Sequence, residues 1–187
     1  MLNLSNLRAH GDPIKGVENA ASGVVPVMKL FEDTFSYANQ LGQRSGAGVV
    51  YLNVFHPDVQ AFMDTRKENA DEKVRIKTLS LGLLVPNKFY ELISKDEMLY
   101  QFSPHDVKKY YDMDFDEANF DEMYDTFLND SRIKKTKIKA RDLETEISKL
   151  QQESGYPYII NIDKANEANP ITHGLIKMSN LCKIMHL

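Results

Sequence analysis

The stretch VVYLNVFH at residues 49–56 decides the fold class. It is rich in β-branched and aromatic residues over a length typical of one strand, and it reads as a buried strand. Pro57 follows at once, where a ring that lacks an N–H costs nothing at the first position of a helix. Val59, Phe62 and Met63 then fall at helical spacing and point inward. On the upstream side, Leu41–Gly48 holds Gly42, Gly46 and Gly48 and reads as a loop. Before that loop, Val27, Leu30, Phe31, Phe35 and Ala38 recur at three- and four-residue spacing, which predicts a helix over 27–39, with Pro26 inside or at the start of the apolar run, where it should kink or open it.

Downstream, KTLSLGLLV at 77–85 predicts a second strand, with Leu79, Leu81 and Leu83 on one face. Ser103-Pro104-His105-Asp106 reads as a helix start. Ser103 is the cap, Pro104 the first helical residue, and Asp106 lies near the positive end of the dipole. Phe120, Met123, Tyr124, Phe127 and Leu128 form one apolar helical stripe, and Leu143, Ile147 and Leu150 form another that Gly155 stops. YIINID from Tyr158 predicts a third strand, and Lys164–Ser179 a long polar connection. Strands separated by helices imply parallel pairing and an α/β architecture. Periodicity by itself does not separate an open sheet from part of a barrel.

The 187 residues are 42% hydrophobic and 27% charged, the balance of a globular chain, with a formal net charge of −4. No basic stripe offers itself to a nucleic acid, and the negative balance disfavours an anionic membrane. No apolar run reaches the length of a membrane span and no signal-peptide pattern opens the chain, so a cytoplasmic location is expected. A single cysteine, Cys182, excludes an internal disulfide and a cysteine-based zinc site. It is either a small buried residue, the commoner case for free cysteines, or a reactive thiol. An unrelated cysteine-nucleophile enzyme would need a histidine near the thiol. His10, His56, His105, His173 and His186 show no catalytic spacing to it.

Four stretches, in order, carry a resemblance: NLRAHGDPIKG at 6–16, ANQLGQRSGAGVVYLNVFHPDV at 38–59, ENADEKVRIKTLSLGLLVP at 68–86 and KMSNLC at 177–182, with FSPHDV at 102–107 as a further match. Together they resemble the large (alpha) subunit of class I ribonucleoside-diphosphate reductases, most closely the class Ib branch. The resemblance implies an α/β fold, roughly the first half of that family's ten-stranded α/β barrel, in which a loop bearing the active-site cysteine runs up the centre. On that basis, residues 1–48 hold the effector (specificity) region and a dimer helix. Residues 49–176 supply half-barrel strands and helices, and 177–187 begin the cysteine loop. The chain opens on LNLSNLRAH and closes five residues past Cys182. Both ends read as cuts in a longer reductase, so the expectation is an internal fragment.

The resemblance also assigns chemistry. Cys182 matches the cysteine that becomes a transient thiyl radical and abstracts the ribose 3′ hydrogen of a ribonucleoside diphosphate. Asn180 matches an asparagine that hydrogen-bonds the substrate ribose, since its amide both donates and accepts. Leu181 and Arg44 are expected beside the substrate with them. The family places a glutamate, a general base, two residues after the cysteine. Here that position is Ile184, which accepts no proton, and the tail KIMHL departs from the pattern. The family's reducing cysteine pair would lie outside 1–187, so the isolated chain is expected to be inactive.

Arg8 and Lys15 match basic positions that contact the phosphates of an effector nucleotide, dNTP or ATP. Gln40 and Arg44 match the loop that reads effector identity. No cofactor or metal is expected on this chain, because the family's radical comes from a small subunit that contains metal. Implied partners are that small subunit, a second alpha subunit in a homodimer, and a glutaredoxin- or thioredoxin-like reductant, with no nucleic acid and no membrane. A reading from another class treats the chain as a non-catalytic orphan half that dimerises or docks with a complementary fragment.

Overall fold

Two residues of extended chain, β1 (Leu2–Asn3), lead through a looped segment to α1 (Val24–Tyr37), and β2 (Gly48–Asn53) follows. Next come α2 (Val59–Asp64), β3 (Leu79–Val85), α3 (Asn87–Ser94), β4 (Met98–Phe102), α4 (Pro104–Tyr111) and α5 (Phe120–Asn129). The chain continues through β5 (Lys135–Lys139), α6 (Ala140–Ser154), β6 (Tyr158–Asn161) and α7 (Ile162–Glu167). The computed structural model describes residues 1–38, 46–171 and 173–180. The expected positions of Gln40, Arg44, Leu181, Cys182, Ile184 and His186 therefore lie outside the described residues.

The principal sheet has four strands in the order β1-β2-β3-β6, and every pairing is parallel. Every residue of β2 and β3 is buried, as a parallel sheet covered on both faces requires. One face carries Val50, Leu52, Leu79, Leu81, Leu83 and Val85 into the main core under the helices. That core is densely aromatic: Phe55 stacks on Phe120 with ring centroids 4.6 Å apart, and Phe127 meets Phe102 edge-on at 5.6 Å. Burying one such ring stabilises by about 1.5–3 kcal/mol, while pairing geometry adds about 0.5–1.5 kcal/mol, so burial dominates. The opposite face is smaller, with Val49, Tyr51, Leu84 and Ile160 covered by Ile162 and Ala165 of α7.

The strand predicted at 77–85 forms over Leu79–Val85, and the inward set Val59, Phe62 and Met63 and the cap at Ser103 stand as the sequence predicts. Ser103 Oγ accepts the Asp106 N–H, and Gly155 ends α6 in the left-handed region at φ 75°. Three expectations need correction. Helix α1 starts at Val24, and its buried line is Val24, Met28 and Glu32, whereas Leu30 is 64% exposed and Ala38 is exposed. Pro26 sits within the first turn, where its missing N–H would have had no intrahelical acceptor. The polar connection from Lys164 begins as helix, since α7 runs to Glu167. Finally, β4 and β5 form a separate two-stranded antiparallel sheet that the alternation of elements does not announce.

No described helix is long and apolar enough to cross a membrane.

Candidate active site

After α7 the chain returns across the smaller face of the parallel sheet, and side chains from three elements hold it there. The Asn166 side chain pairs with Ile176 in both directions: Oδ1 accepts its N–H at 2.7 Å and Nδ2 donates to its carbonyl at 3.0 Å. Asn3 Nδ2 donates to the Lys177 carbonyl at 2.8 Å. Tyr51 Oη donates to the Ser179 carbonyl, also at 2.8 Å. The ring of Tyr51 lies across Gly82, its register partner on β3. A Cβ at Gly82 would stand 2.3 Å from Tyr51 Cε1, so the close approach needs glycine there. Burial pushes the Tyr51 hydroxyl up to about 12, which keeps it a protonated donor.

Lys177 fixes the same segment by charge. Its ammonium lies 3.1 Å from Asp116 Oδ1 and 2.7 Å from Glu117 Oε1. Burial would lower its pKa, but these two carboxylates more than reverse that, and the net direction is upward. Asp114, Asp116 and Glu117 form a carboxylate group compact enough to hold a cation, and Lys177 and Lys108 already pair with it. Beside it opens a cleft of about 230 Å³ lined by Asn53, Pro86, Asn119, Asp163 and Lys177 among others. It lies at the carboxyl ends of β2, β3 and β6, where parallel α/β sheets place their ligands. Burial raises the Asp163 carboxyl although that group accepts the Asn87 N–H at 2.7 Å.

Asn180 is exposed at the end of this anchored segment, two residues before Cys182. The segment is therefore brought to the smaller face of the sheet with its carbonyls fixed at Lys177 and Ser179. Arg8 and Lys15 lie elsewhere, exposed on the loop between β1 and α1. Lys15 sits at φ 49° in a tight turn closed by paired hydrogen bonds between Ile14 and Val17. Among the described residues no hydrogen bond or ion pair joins either cation to the 176–180 segment. The structure does not unite these two sets of expected residues into one site.

Buried carboxylates pin the loop that carries Arg8 and Lys15. Asp58 accepts the His10 N–H at 3.0 Å and the Val24 N–H at 3.1 Å, and so holds both ends of the loop. Asp12 accepts the Ala9 N–H at 3.0 Å and the Ser103 hydroxyl at 2.8 Å. His56 Nδ1 accepts the Asp58 N–H, which leaves its Nε2–H to donate to the Leu7 carbonyl at 3.0 Å. Sequence reading does not find Tyr51, Asn3, Asn166, Asp12 or Asp58, because the partners that give them their roles lie ten or more residues away, at Ser179, Lys177, Ile176, Ser103 and Val24. Only Gly82 left a visible signal, a glycine set inside a leucine alternation.

Residues 2–185 match the family model described as the barrel domain of ribonucleotide reductase. The chain is 52% identical to the ribonucleoside-diphosphate reductase NrdEB subunit alpha of Bacillus subtilis over 97% of its own length and 17% of that protein. It is 50% identical to another ribonucleoside-diphosphate reductase subunit alpha of Bacillus subtilis, over 97% of this chain and 26% of the relative. With the subunit alpha of Mycoplasma genitalium it shares 52% identity over 96% of this chain and 25% of the relative. The chain thus spans about a quarter or less of the curated relatives it matches.

Proposed function

The chain belongs to the ribonucleotide reductase family as part of its α/β barrel domain, and from that membership we propose that it serves a ribonucleoside-diphosphate reductase alpha subunit as the barrel segment leading into the radical-bearing cysteine. In this reading residues 1–48 form the effector and dimer region, 49–176 the barrel strands and helices, and 177–187 the start of the cysteine loop. The observation that carries it is the segment 176–180, anchored by Asn166, Asn3 and Tyr51 across the smaller face of a parallel sheet and leading directly to Cys182.

The chemistry follows from the residue types. A thiyl radical on Cys182 takes the hydrogen atom from ribose C3′, forming an S–H bond and leaving the radical on carbon. Asn180, exposed beside that position, both accepts from and donates to ribose hydroxyls. The radical is supplied by a small subunit that contains metal, and the two electrons for reduction come from a cysteine pair re-reduced by a glutaredoxin- or thioredoxin-like protein in the cytoplasm. Ile184 cannot act as a general base, so a polypeptide of these 187 residues does not turn over substrate. Arg8, Lys15, Gln40 and Arg44 bind a dNTP or ATP effector. The pinning of the 7–24 loop by Asp12 and Asp58 supports this, because fixed cations recognise phosphate better than mobile ones.

The test uses a full-length alpha subunit carrying these residues with a glutamate restored at position 184 (Ile184→Glu), together with its radical-supplying partner. Reduction of a ribonucleoside diphosphate is expected, and Cys182→Ser removes it while leaving affinity for effector intact. Turnover that survives Cys182→Ser overturns the reading.

A further inference from the structure

We propose that Tyr51 is a positioning residue for the reaction: its hydroxyl, holding the Ser179 carbonyl, and its ring, laid over Gly82, set the path of the backbone at 179–180, from which the sequence runs on to Cys182. The inference rests on Cys182 being the radical carrier and adds to that reading a residue that neither touches substrate nor reacts.

Three observations support it. First, the hydroxyl is the anchor nearest the cysteine among the described residues, at 2.8 Å from Ser179, three residues before Cys182. The two other backbone anchors, at Ile176 and Lys177, lie further upstream, so among the described residues Tyr51 alone holds the backbone at 179. Second, the strut is rigid. Tyr51 is wholly buried between Val49, Leu84 and Ile160, and with Gly82 beneath it the ring has nowhere to move. A buried tyrosine has few rotamers to lose, so little entropy opposes the hydrogen bond. Third, the partner is a main-chain carbonyl, so the contact sets the path of the backbone whatever side chain stands at 179.

Hydrogen transfer between sulfur and carbon falls off steeply with distance, and a displacement of about 1 Å can cost about a hundredfold in rate. A single net hydrogen bond is worth about 1 kcal/mol, roughly a fivefold change in an equilibrium between held and released segments. Removing the Tyr51 hydroxyl should therefore release the segment part of the time, lowering turnover without changing how substrate is bound.

The experiment is done in a full-length alpha subunit that carries these residues with Ile184→Glu, with its radical-supplying partner. Tyr51→Phe is compared with wild type and with Tyr90→Phe, whose hydroxyl contacts Asn161 away from the segment. Labelling of Cys182 by iodoacetamide, resolved by peptide mass spectrometry, is expected to rise by up to about fivefold in Tyr51→Phe, and kcat to fall with KM within about twofold. Gly82→Ala keeps the hydroxyl but displaces the ring, and should give the same two changes even if Tyr51→Phe proves hard to fold. Tyr90→Phe should change neither. Labelling in Tyr51→Phe and Gly82→Ala equal to wild type overturns the proposal, whatever happens to kcat. If Cys182→Ser keeps its turnover, the radical reading fails instead, and the labelling experiment still reports on Tyr51 separately.

Discussion

Ser103 donates its hydroxyl to Asp12 at 2.8 Å across 91 residues of sequence, with both side chains buried. The same Ser103 oxygen accepts the Asp106 N–H and so caps α4, which makes one hydroxyl the joint between that helix and the loop of Arg8 and Lys15.

Asp12→Ala should therefore destabilise the fold well beyond a surface change. It leaves the Ala9 N–H and the Ser103 hydroxyl without their buried acceptor, at a cost of about 2–4 kcal/mol for two charge-assisted bonds. Urea unfolding should show a lowered midpoint with an unchanged slope. Both bonds end on Oδ2, so Asp12→Asn, whose single amide oxygen can still accept both without the charge, should lose less. A midpoint for Asp12→Ala equal to that of wild type would contradict the role given to this carboxylate.

Acid should weaken the fold through His56. Burial is the largest influence on its ring and holds the pKa below the ordinary 6.5, against the opposing pull of the Leu7 carbonyl and the carboxylates of Asp58 and Asp12. Above pH 6.5 the ring is neutral in both folded and unfolded chains and the stability is complete. As the pH falls below 6.5 the unfolded chain takes up the proton first, so stability drops by up to about 1.4 kcal/mol per pH unit until the folded ring also protonates. His56→Gln, which cannot titrate, should show a shallower loss between pH 7.5 and 5.5. Parallel losses in the two proteins would place the acid sensitivity elsewhere.

Helix α1 turns Leu30 and Tyr37 to solvent, the first 64% and the second 91% exposed. If this face packs against a second alpha subunit, Leu30→Glu with Tyr37→Glu should shift the subunit toward monomer in analytical ultracentrifugation. The thermal transition of the monomer should stay within about 2 °C, since neither side chain contributes to the core. An unchanged sedimentation profile would remove α1 from the dimer interface.

How legible all this was in the sequence depended on the range of each interaction. The leucine alternation at 79, 81 and 83, the inward set Val59, Phe62 and Met63, and the Ser103 cap are local patterns, and the structure keeps them. Helix α1 misled because the third member of its buried line is a charged residue. Glu32 accepts the N–H groups of Lys77 and Thr78 and the Lys29 ammonium, so hydrophobic periodicity assigned the face to Leu30 instead. Strand β5 is KTKIK, three lysines in five residues, and nothing in it signals a partner in β4. The sequence also located the candidate cysteine and asparagine through the motif at 177–182. The side chains that hold that motif were not legible, because Asn3 and Tyr51 reach it across 174 and 128 residues.

The central claim is that Cys182 removes the ribose 3′ hydrogen, and its most direct test follows that atom. A ribonucleoside diphosphate tritiated at C3′ is incubated with a full-length alpha subunit carrying these residues with Ile184→Glu, its radical-supplying partner and an effector nucleotide. The account predicts tritium release to water that accompanies turnover and vanishes in Cys182→Ser. Release that persists in Cys182→Ser would contradict it.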